Sequence, residues 1–406
     1  MKKLACLLIA LAACGGSNTN NNGGPDAAVA TVDASPPDAS GFQQAPHPGV
    51  PQVKDLGGGV TTAPVIVPIF FTGDDTMKGE MEPFFTAIAT SDYWHQTTSE
   101  YGVGDATVHA SIVATDTPPT TDDALQQFLQ QNLDGTHAEW PAPDDNTIYA
   151  VYLPSGVSLS TPWGSSCQSF GGYHSETALT GGQKVIYALM PRCGGGLDAL
   201  TGVTSHEFVE AATDPHPFTA PAMADMDAEH YIWADTPGAE LGDMCEYVRS
   251  AEQRLVGNFV VQRSWSNASA AAGHDPCVPA MSTPYIAAAP VLTDDVSINF
   301  PQEWGGPVAS KGVTIPVGQS KTIDVALFSD AETADFTVTA YDVGNILQGA
   351  SPNLTFAWDS QTGNNGAIRK LTITNKKAGQ YGGNEFVISA RSNNTTVSLW
   401  WGFVAD

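Results

Sequence analysis

The chain has 406 residues, 42% of them hydrophobic and 15% charged, with 43 Asp+Glu against 16 Lys+Arg and a formal net charge of −27. That length accommodates two domains plus tails. The acidity excludes a phosphate-backbone partner, which needs clustered Lys and Arg, so no nucleic acid is expected; it equally excludes attachment to an anionic membrane by surface charge.

Met1-Lys2-Lys3 precedes an apolar run from Leu4 to Ala13. That run is too short to span a bilayer and suits the core of a signal peptide. It ends Leu11-Ala12-Ala13-Cys14-Gly15, which resembles a bacterial lipobox. The resemblance implies a lipoprotein signal over residues 1–13, acylation of Cys14, and a membrane partner reached through that lipid. With Gly15 where inner-membrane retention favours Asp, it also implies the outer membrane or cell surface. An ordinary signal peptide cut nearby is the alternative, and either way the protein is exported. Residues 14–58 are rich in Asn, Gly, Pro, Asp, Ala and Ser, with little to bury, and are expected to form a disordered tether.

From residue 59 to 280 the pattern changes. Ala63–Phe71 (APVIVPIFF) reads as a buried strand, and Met77–Ser91 as a helix with Met81, Phe84, Phe85 and Ile88 on one face. Ala106–Thr115 alternates like a strand. Thr120–Leu133 begins with a Thr/Asp cap and carries Leu125, Phe128, Leu129 and Leu133 on one face, a second helix. Thr147–Pro154 and Lys184–Pro191 are short apolar strands, and Gly194-Gly195-Gly196 precedes a further helix. Strands alternating with helices predict an α+β or α/β domain.

Residues 284–406 carry short alternating runs divided by Gly, Asn, Asp and Pro, among them Lys321–Ser329, Asn384–Ser392 and Thr396–Val404. They predict an all-β, immunoglobulin-like sandwich. The Trp400-Trp401 pair ends the last strand, one ring expected in the core and the other either packed or free to stack on a sugar. Outside the leader, Cys167, Cys193, Cys245 and Cys277 remain. In an oxidising compartment they predict two disulfides, Cys167–Cys193 and Cys245–Cys277, each closing a local segment; zinc coordination by all four is the rival.

The chemistry concentrates at Thr204–His216, TSHEFVEAATDPH. On a helix His206 and Glu210, four apart, share a face and can grip one ion. Glu207 projects beside them, where it can hold and deprotonate a metal-bound water. The helix should end near Thr213 or Asp214, because Pro215 disfavours helical geometry in the residue before it. These five letters also occur in ordinary acidic helices, so a hydrogen-bonded cluster without an ion competes.

Downstream stands GAELGDMCEY, with Glu240, Asp243 and Cys245; upstream stands CQSFGGYH, from Cys167 to His174. The pattern H-E-x-x-E-x-x-T-[DN]-P followed by E-x-x-D-x-C falls on His206, Glu207, Glu210, Thr213, Asp214 and Pro215, then Glu240, Asp243 and Cys245. It resembles the Exordium-like, or phosphate-induced, secreted proteins and their bacterial HExxE relatives, over roughly residues 63–279. Cys167 and His174 fit more loosely; His174 either lines a cleft or is a turn histidine near a disulfide. The resemblance implies a zincin-like domain with an active-site helix. It makes His206, Glu210 and Glu240 the metal ligands and Glu207 the catalytic base. Asp243 then orients His206 or replaces Glu240 on the metal. His216, ten residues after His206, is a third candidate, though Thr213 stands where the corresponding turn has Gly.

One imidazole with two carboxylates makes a neutral zinc site, which acidifies its water less than the ~7 of strongly activating sites. Oxygen-rich ligation also shifts preference from Zn²⁺ toward Ca²⁺ or Mn²⁺. The expected function is an exported, lipid-anchored, zinc-dependent peptidase-like hydrolase. The alternative is a non-catalytic cell-surface or cell-wall binding protein with a structural metal.

Overall fold

The computed structural model describes residues 41–234, 238–248, 251–281, 283–349, 351–393 and 395–406. The expected signal peptide, Cys14 and the tether as far as residue 40 lie outside the described residues. Between 41 and 58 the tether expectation is corrected. The Gln44 amide donates to the Gly273 carbonyl (2.7 Å), and the Ala45 N–H donates to Asn365 Oδ1 (2.9 Å). His47 stacks on Phe328 with ring centroids 3.8 Å apart, and Val50 and Val53 are buried. Few apolar residues are enough to dock a segment when each finds a partner.

Strand β1 (Val53–Asp55) is followed by β2 (Val65–Phe71), helix α1 (Asp75–Ala89) and helix α2 (Asp92–Thr98). Next come β3 (Thr107–Val108), β4 (Ile112–Ala114), α3 (Asp122–Asn132) and β5 (Thr147–Tyr152). A small hairpin of β6 (Ser160–Thr161) and β7 (Gly164–Ser165) leads to β8 (Tyr173–Ala178), β9 (Lys184–Met190) and α4 (Gly196–Thr213). The sheet order is β3-β2-β5-β9-β8, with β4 also pairing β2; β2, β5 and β9 are parallel and β8 is an antiparallel edge. Its central strands are apolar on both faces, as layers on each side require. Phe70, Tyr152 and Ile186 face one layer with Phe84 and Phe85 of α1 and Phe208 of α4. Phe71, Tyr149 and Leu189 face the other with Leu125, Phe128 and Leu129 of α3.

After α4 the chain turns to short strands. These are β10 (Met223–Met226), paired with β1, then a turn of helix α5 (Asp243–Glu246). The hairpin β11 (Glu252–Val256) and β12 (Phe259–Gln262) follows, then the pair β13 (Ser264–Trp265) and β14 (Cys277–Val278). Helix α4 lies between β8 and β9 on one side and β12 on the other. Beyond Ile286 the strands form a four-stranded and a six-stranded sheet. All their pairings are antiparallel except Val308–Thr314 against Thr395–Ala405.

The expectation of a zincin-like α/β or α+β domain followed by an immunoglobulin-like sandwich is therefore corrected. The protein is mostly β, 36% strand against 21% helix, with the strands of the described residues spread over seven sheets. Two features overturn the expected division. The stretch between α4 and Ile286 is cut into strands of two to five residues by Gly, Pro and Asp. One apolar core also runs without interruption from the N-terminal sheet into the C-terminal sheets. Trp400 packs on Trp233 (5.3 Å between centroids) and Trp401 on Tyr247 (5.7 Å) across this junction. Both rings are buried, so neither offers a face for stacking on a sugar.

Cys167 is bonded to Cys193 and Cys245 to Cys277, the pairing expected from their spacing. Cys245 lies within α5, so its bond anchors a turn otherwise held by little regular structure. Replacing Cys245 and Cys277 by Ser should lower the unfolding free energy by about 3–4 kcal/mol, because the bond closes a 32-residue separation. Urea unfolding of the double variant measures it; a difference near zero would mean the turn is held by other contacts.

Candidate metal centre

Helix α4 sets the site. Gly194, Gly195 and Gly196 all have positive φ (96°, 74° and 69°), a left-handed entry that residues with a Cβ rarely adopt. From Leu200 to Thr213 every position except Val203 is buried, so this part of the helix is almost wholly enclosed. Its hydroxyls satisfy themselves on the backbone: Ser205 Oγ donates to the Gly202 carbonyl (2.7 Å) and Thr213 Oγ1 to the Val209 carbonyl (2.8 Å). His206, Glu207 and Glu210 are too polar for an apolar layer and must meet partners.

They meet them from three directions. The helix brings His206 Nε2 to 3.1 Å from Glu210 Oε2. The turn at α5 brings Asp243 Oδ1 to 3.6 Å from the same nitrogen. Strand β8 contributes His174, whose Nδ1 lies 3.7 Å from Glu210 Oε2 and 3.8 Å from Glu207 Oε2. Two overlapping donor groups result, His206–Glu210–Asp243 and His174–Glu207–Glu210, with Glu210 common to both. The buried His174–Glu207–Glu210 group can hold a metal ion.

Among the residues expected at the third position, Asp243 stands beside His206 and Glu210. Glu240 sits at 3.4 Å from Nε2 of His174. The Asp243 carboxylate also accepts the Glu240 backbone N–H through Oδ2 (3.0 Å), which pins the main chain at Glu240. His216 is elsewhere: it faces Glu176 Oε2 at 3.2 Å. Asp214 caps the turn after the helix, accepting the Ala222 N–H (2.7 Å), and its carbonyl lies 3.1 Å from His174 Nε2.

Several supporting residues escaped the sequence reading. The Gln262 amide nitrogen, which only donates, lies 2.9 Å from His206 Nδ1 and 2.8 Å from the Gly242 carbonyl, so Nδ1 accepts and the ring N–H, on Nε2, faces Glu210 and Asp243. Glu210 Oε1 accepts the N–H groups of Gly242 (3.1 Å) and Asp243 (3.3 Å). A Cβ at Gly242 would stand 2.6 Å from His206 Nδ1 and 2.8 Å from Glu210 Oε1, and one at Gly172 would stand 2.7 Å from Glu207 Oε1. The two glycines are the space the acids and the imidazole occupy. Only the Gly171-Gly172-Tyr173-His174 run hinted at this in the sequence, and it names no partner.

Burial opposes charge on both imidazoles. The facing carboxylates prevail, Glu240 and Glu207 beside His174 and Glu210 beside His206, and hold both rings well above the ordinary histidine range. Burial likewise pushes the carboxyls of Glu240 and Glu210 upward. Oε2 of Glu207 and Oε1 of Glu240 are buried without a hydrogen-bond partner. A donor set of imidazoles and carboxylates with unpartnered buried oxygens fits a divalent cation, whose charge answers theirs.

Solvent reaches the group through a cleft of about 750 Å³ lined by His206 and Glu207, with Leu200, Val203, Arg192, Tyr247 and Gln262 around them. Tyr247 is the residue on which Trp401 packs, so the C-terminal sheet supports one wall.

Gly242→Ala should weaken divalent-cation binding at least ten-fold in calorimetric titration, whereas Gly59→Ala, where a Cβ meets nothing, should leave it unchanged. At Glu176, burial raises the carboxyl but hydrogen bonds from His216 and Thr219 outweigh it and bring it down to about 2. A depressed carboxyl stabilises the fold above its unfolded value and loses that contribution as pH falls toward 2. Glu176→Gln should therefore destabilise the protein at pH 7 and much less near pH 2, as read by melting temperature at both.

No family model and no curated protein matches this chain. Among solved structures it is similar to domains 4–9 of the surface layer protein SbsC, at 14% identity, with a TM-score of 0.18 over 29% of this chain and 14% of that one. The chain thus spans a small part of that structure's length, and so slight a likeness carries no argument about this one. The two disulfides indicate an oxidising environment. No helix among the described residues is long and apolar enough to cross a membrane.

Proposed function

We propose that the chain is an exported metal-dependent hydrolase of peptide bonds, with the cation on His206, Glu210 and Asp243 and with Glu207 accepting the proton of the attacking water. One observation carries this reading: His206 and Glu207 line the cleft wall, while Glu210, one helical turn on, closes the donor group from inside. When bound, the cation supplies Lewis acidity, polarising a carbonyl and acidifying a water. The chain's own residues do the rest. Gln262 fixes the His206 ring, the backbone N–H groups at 242 and 243 hold Glu210, and Leu200 and Val203 present an apolar flank to a substrate.

An imidazole in each donor group favours Zn²⁺, with Mn²⁺ as the alternative, over Ca²⁺, which takes oxygen donors. Anchoring through a lipid on Cys14 at the outer membrane or cell surface belongs to the same proposal, as does kinship with the Exordium-like secreted proteins. The oxidising environment supports export alone, the Leu11–Gly15 sequence supports the lipid, and the residues from His206 to Cys245 support the kinship.

A second reading has its own support. Glu207 is itself a member of a donor group and is 1% exposed, which suits an ion that only staples a surface or cell-wall binding protein. One comparison separates the two. For the hydrolase, a casein-like substrate is cut by zinc-loaded protein, chelation stops turnover, and Glu207→Gln lowers kcat by about 10²–10⁴-fold with the melting temperature little changed. For the staple, chelation lowers the melting temperature by several degrees and no preparation cleaves anything. Cleavage that persists in Glu207→Gln removes the assigned base.

A further inference from the structure

We propose that this centre holds two divalent cations, bridged by the carboxylate of Glu210. The inference deepens the metal reading above and rests on it. Glu210 Oε2 is the atom shared by the two groups, 3.1 Å from His206 Nε2 and 3.7 Å from His174 Nδ1. Each group brings one imidazole and one further carboxylate to that oxygen, Asp243 on the first side and Glu207 on the second.

The orientation of His174 decides what the second group can do. Its Nε2 lies 3.1 Å from the Asp214 carbonyl, which only accepts, so Nε2 carries an N–H, with Glu240 Oε1 3.4 Å from the same nitrogen. A ring donating through Nε2 to a carbonyl is oriented as metal-binding histidines are, its other nitrogen facing the ion. Nδ1 faces Glu207 Oε2 and Glu210 Oε2 at 3.8 and 3.7 Å, and is the nitrogen that would give up its proton to take an ion. Those separations exceed hydrogen-bond length. They are close to the roughly 3.3–3.6 Å between neighbouring donors around an ion with ~2.0–2.2 Å ligand bonds. Glu207 Oε2, the oxygen aimed at this space, is buried and has no hydrogen-bond partner.

Charge points the same way. Glu207, Glu210 and Glu240 are three carboxylates in one buried volume, and among the described residues no Lys or Arg forms an ion pair with them. Once the two imidazoles have given up their protons to serve as ligands, a single divalent cation does not neutralise the three, before Asp243 is counted; a second does. Bridged pairs in hydrolases stand about 3.5–4 Å apart, a spacing one shared carboxylate can span. With Oε2 of Glu207 on the second cation, its Oε1 remains to accept a proton.

The test is a metal count on the purified full chain loaded with Zn²⁺ and freed of excess, followed by electron paramagnetic resonance of the Mn²⁺-loaded protein. Two Zn²⁺ per chain are expected in the wild type, and one in each of His174→Ala and His206→Ala. The Mn²⁺ spectrum of the wild type should show an exchange-coupled pair, a readout that needs no variant and so survives if one fails to fold; His174→Gln gives a bulk-preserving second variant. One Zn²⁺ per chain, retained in His174→Ala and lost in His206→Ala, overturns the paired centre and leaves the hydrolase reading standing. An uncoupled Mn²⁺ spectrum overturns it too, as do two Zn²⁺ ions indifferent to His174. No bound metal at all overturns both readings.

Discussion

A nearly enclosed helix that carries His206, Glu207 and Glu210 is the constraint on which the rest of this structure turns. An isolated carboxylate transferred from water to a protein interior costs several kcal/mol even after relaxation, so three ionisable side chains on α4 cannot each be buried alone. The fold answers by gathering them with His174, Glu240 and Asp243 into one volume, where opposite charges and N–H donors offset the lost hydration. The low dielectric that makes an unpaired charge costly there also strengthens each interaction that is made. A cation is the partner that such a volume accepts most readily.

The surrounding architecture is arranged to hold that volume open and aligned. The parallel strands present α4 from one side and the β11–β12 hairpin closes on it from the other, so the helix cannot turn. Gly172 and Gly242 leave the room that a methyl group would occupy. The Cys245–Cys277 bond ties the α5 turn to β14, and Tyr247, two residues further, rests on Trp401 of the last strand. The C-terminal sheets are thus structurally joined to the cleft. That junction explains why the core is continuous where two separate domains were expected.

Much of the local structure was legible. Val65–Phe71, Thr147–Tyr152 and Lys184–Met190 are runs of β-branched and aromatic residues, and Leu125, Phe128 and Leu129 have helical spacing; these elements formed as read. The stop of α4 at Thr213 follows from Pro215. Fold class was not legible, because the pairing of short strands such as Val53–Asp55 with Met223–Met226 depends on contacts about 170 residues apart that leave no periodic trace. The β8 strand was missed for a similar reason: YHSETA is polar, and only its place at the sheet edge beside β9 and α4 makes it a strand.

For the site the division is sharper. The helical repeat alone puts His206 and Glu210 on one face, and that follows from four-residue spacing whatever the rest of the chain does. The choice between Glu240 and Asp243 could not follow from spacing. The helical turn begins only at Asp243, and the path of the three residues before it is set by the Glu240 N–H bond to Asp243 and the Gly242 N–H bond to Glu210. His174 and Gln262 reach the centre from strands 32 and 56 residues away from His206 in opposite directions along the chain. Sequence by itself determined that an imidazole and a carboxylate share one helical face, because that geometry is local. Tertiary structure decided which groups complete the shell, because only the packing of β8, α5 and β12 around a buried helix brings those side chains within a few ångströms of one another.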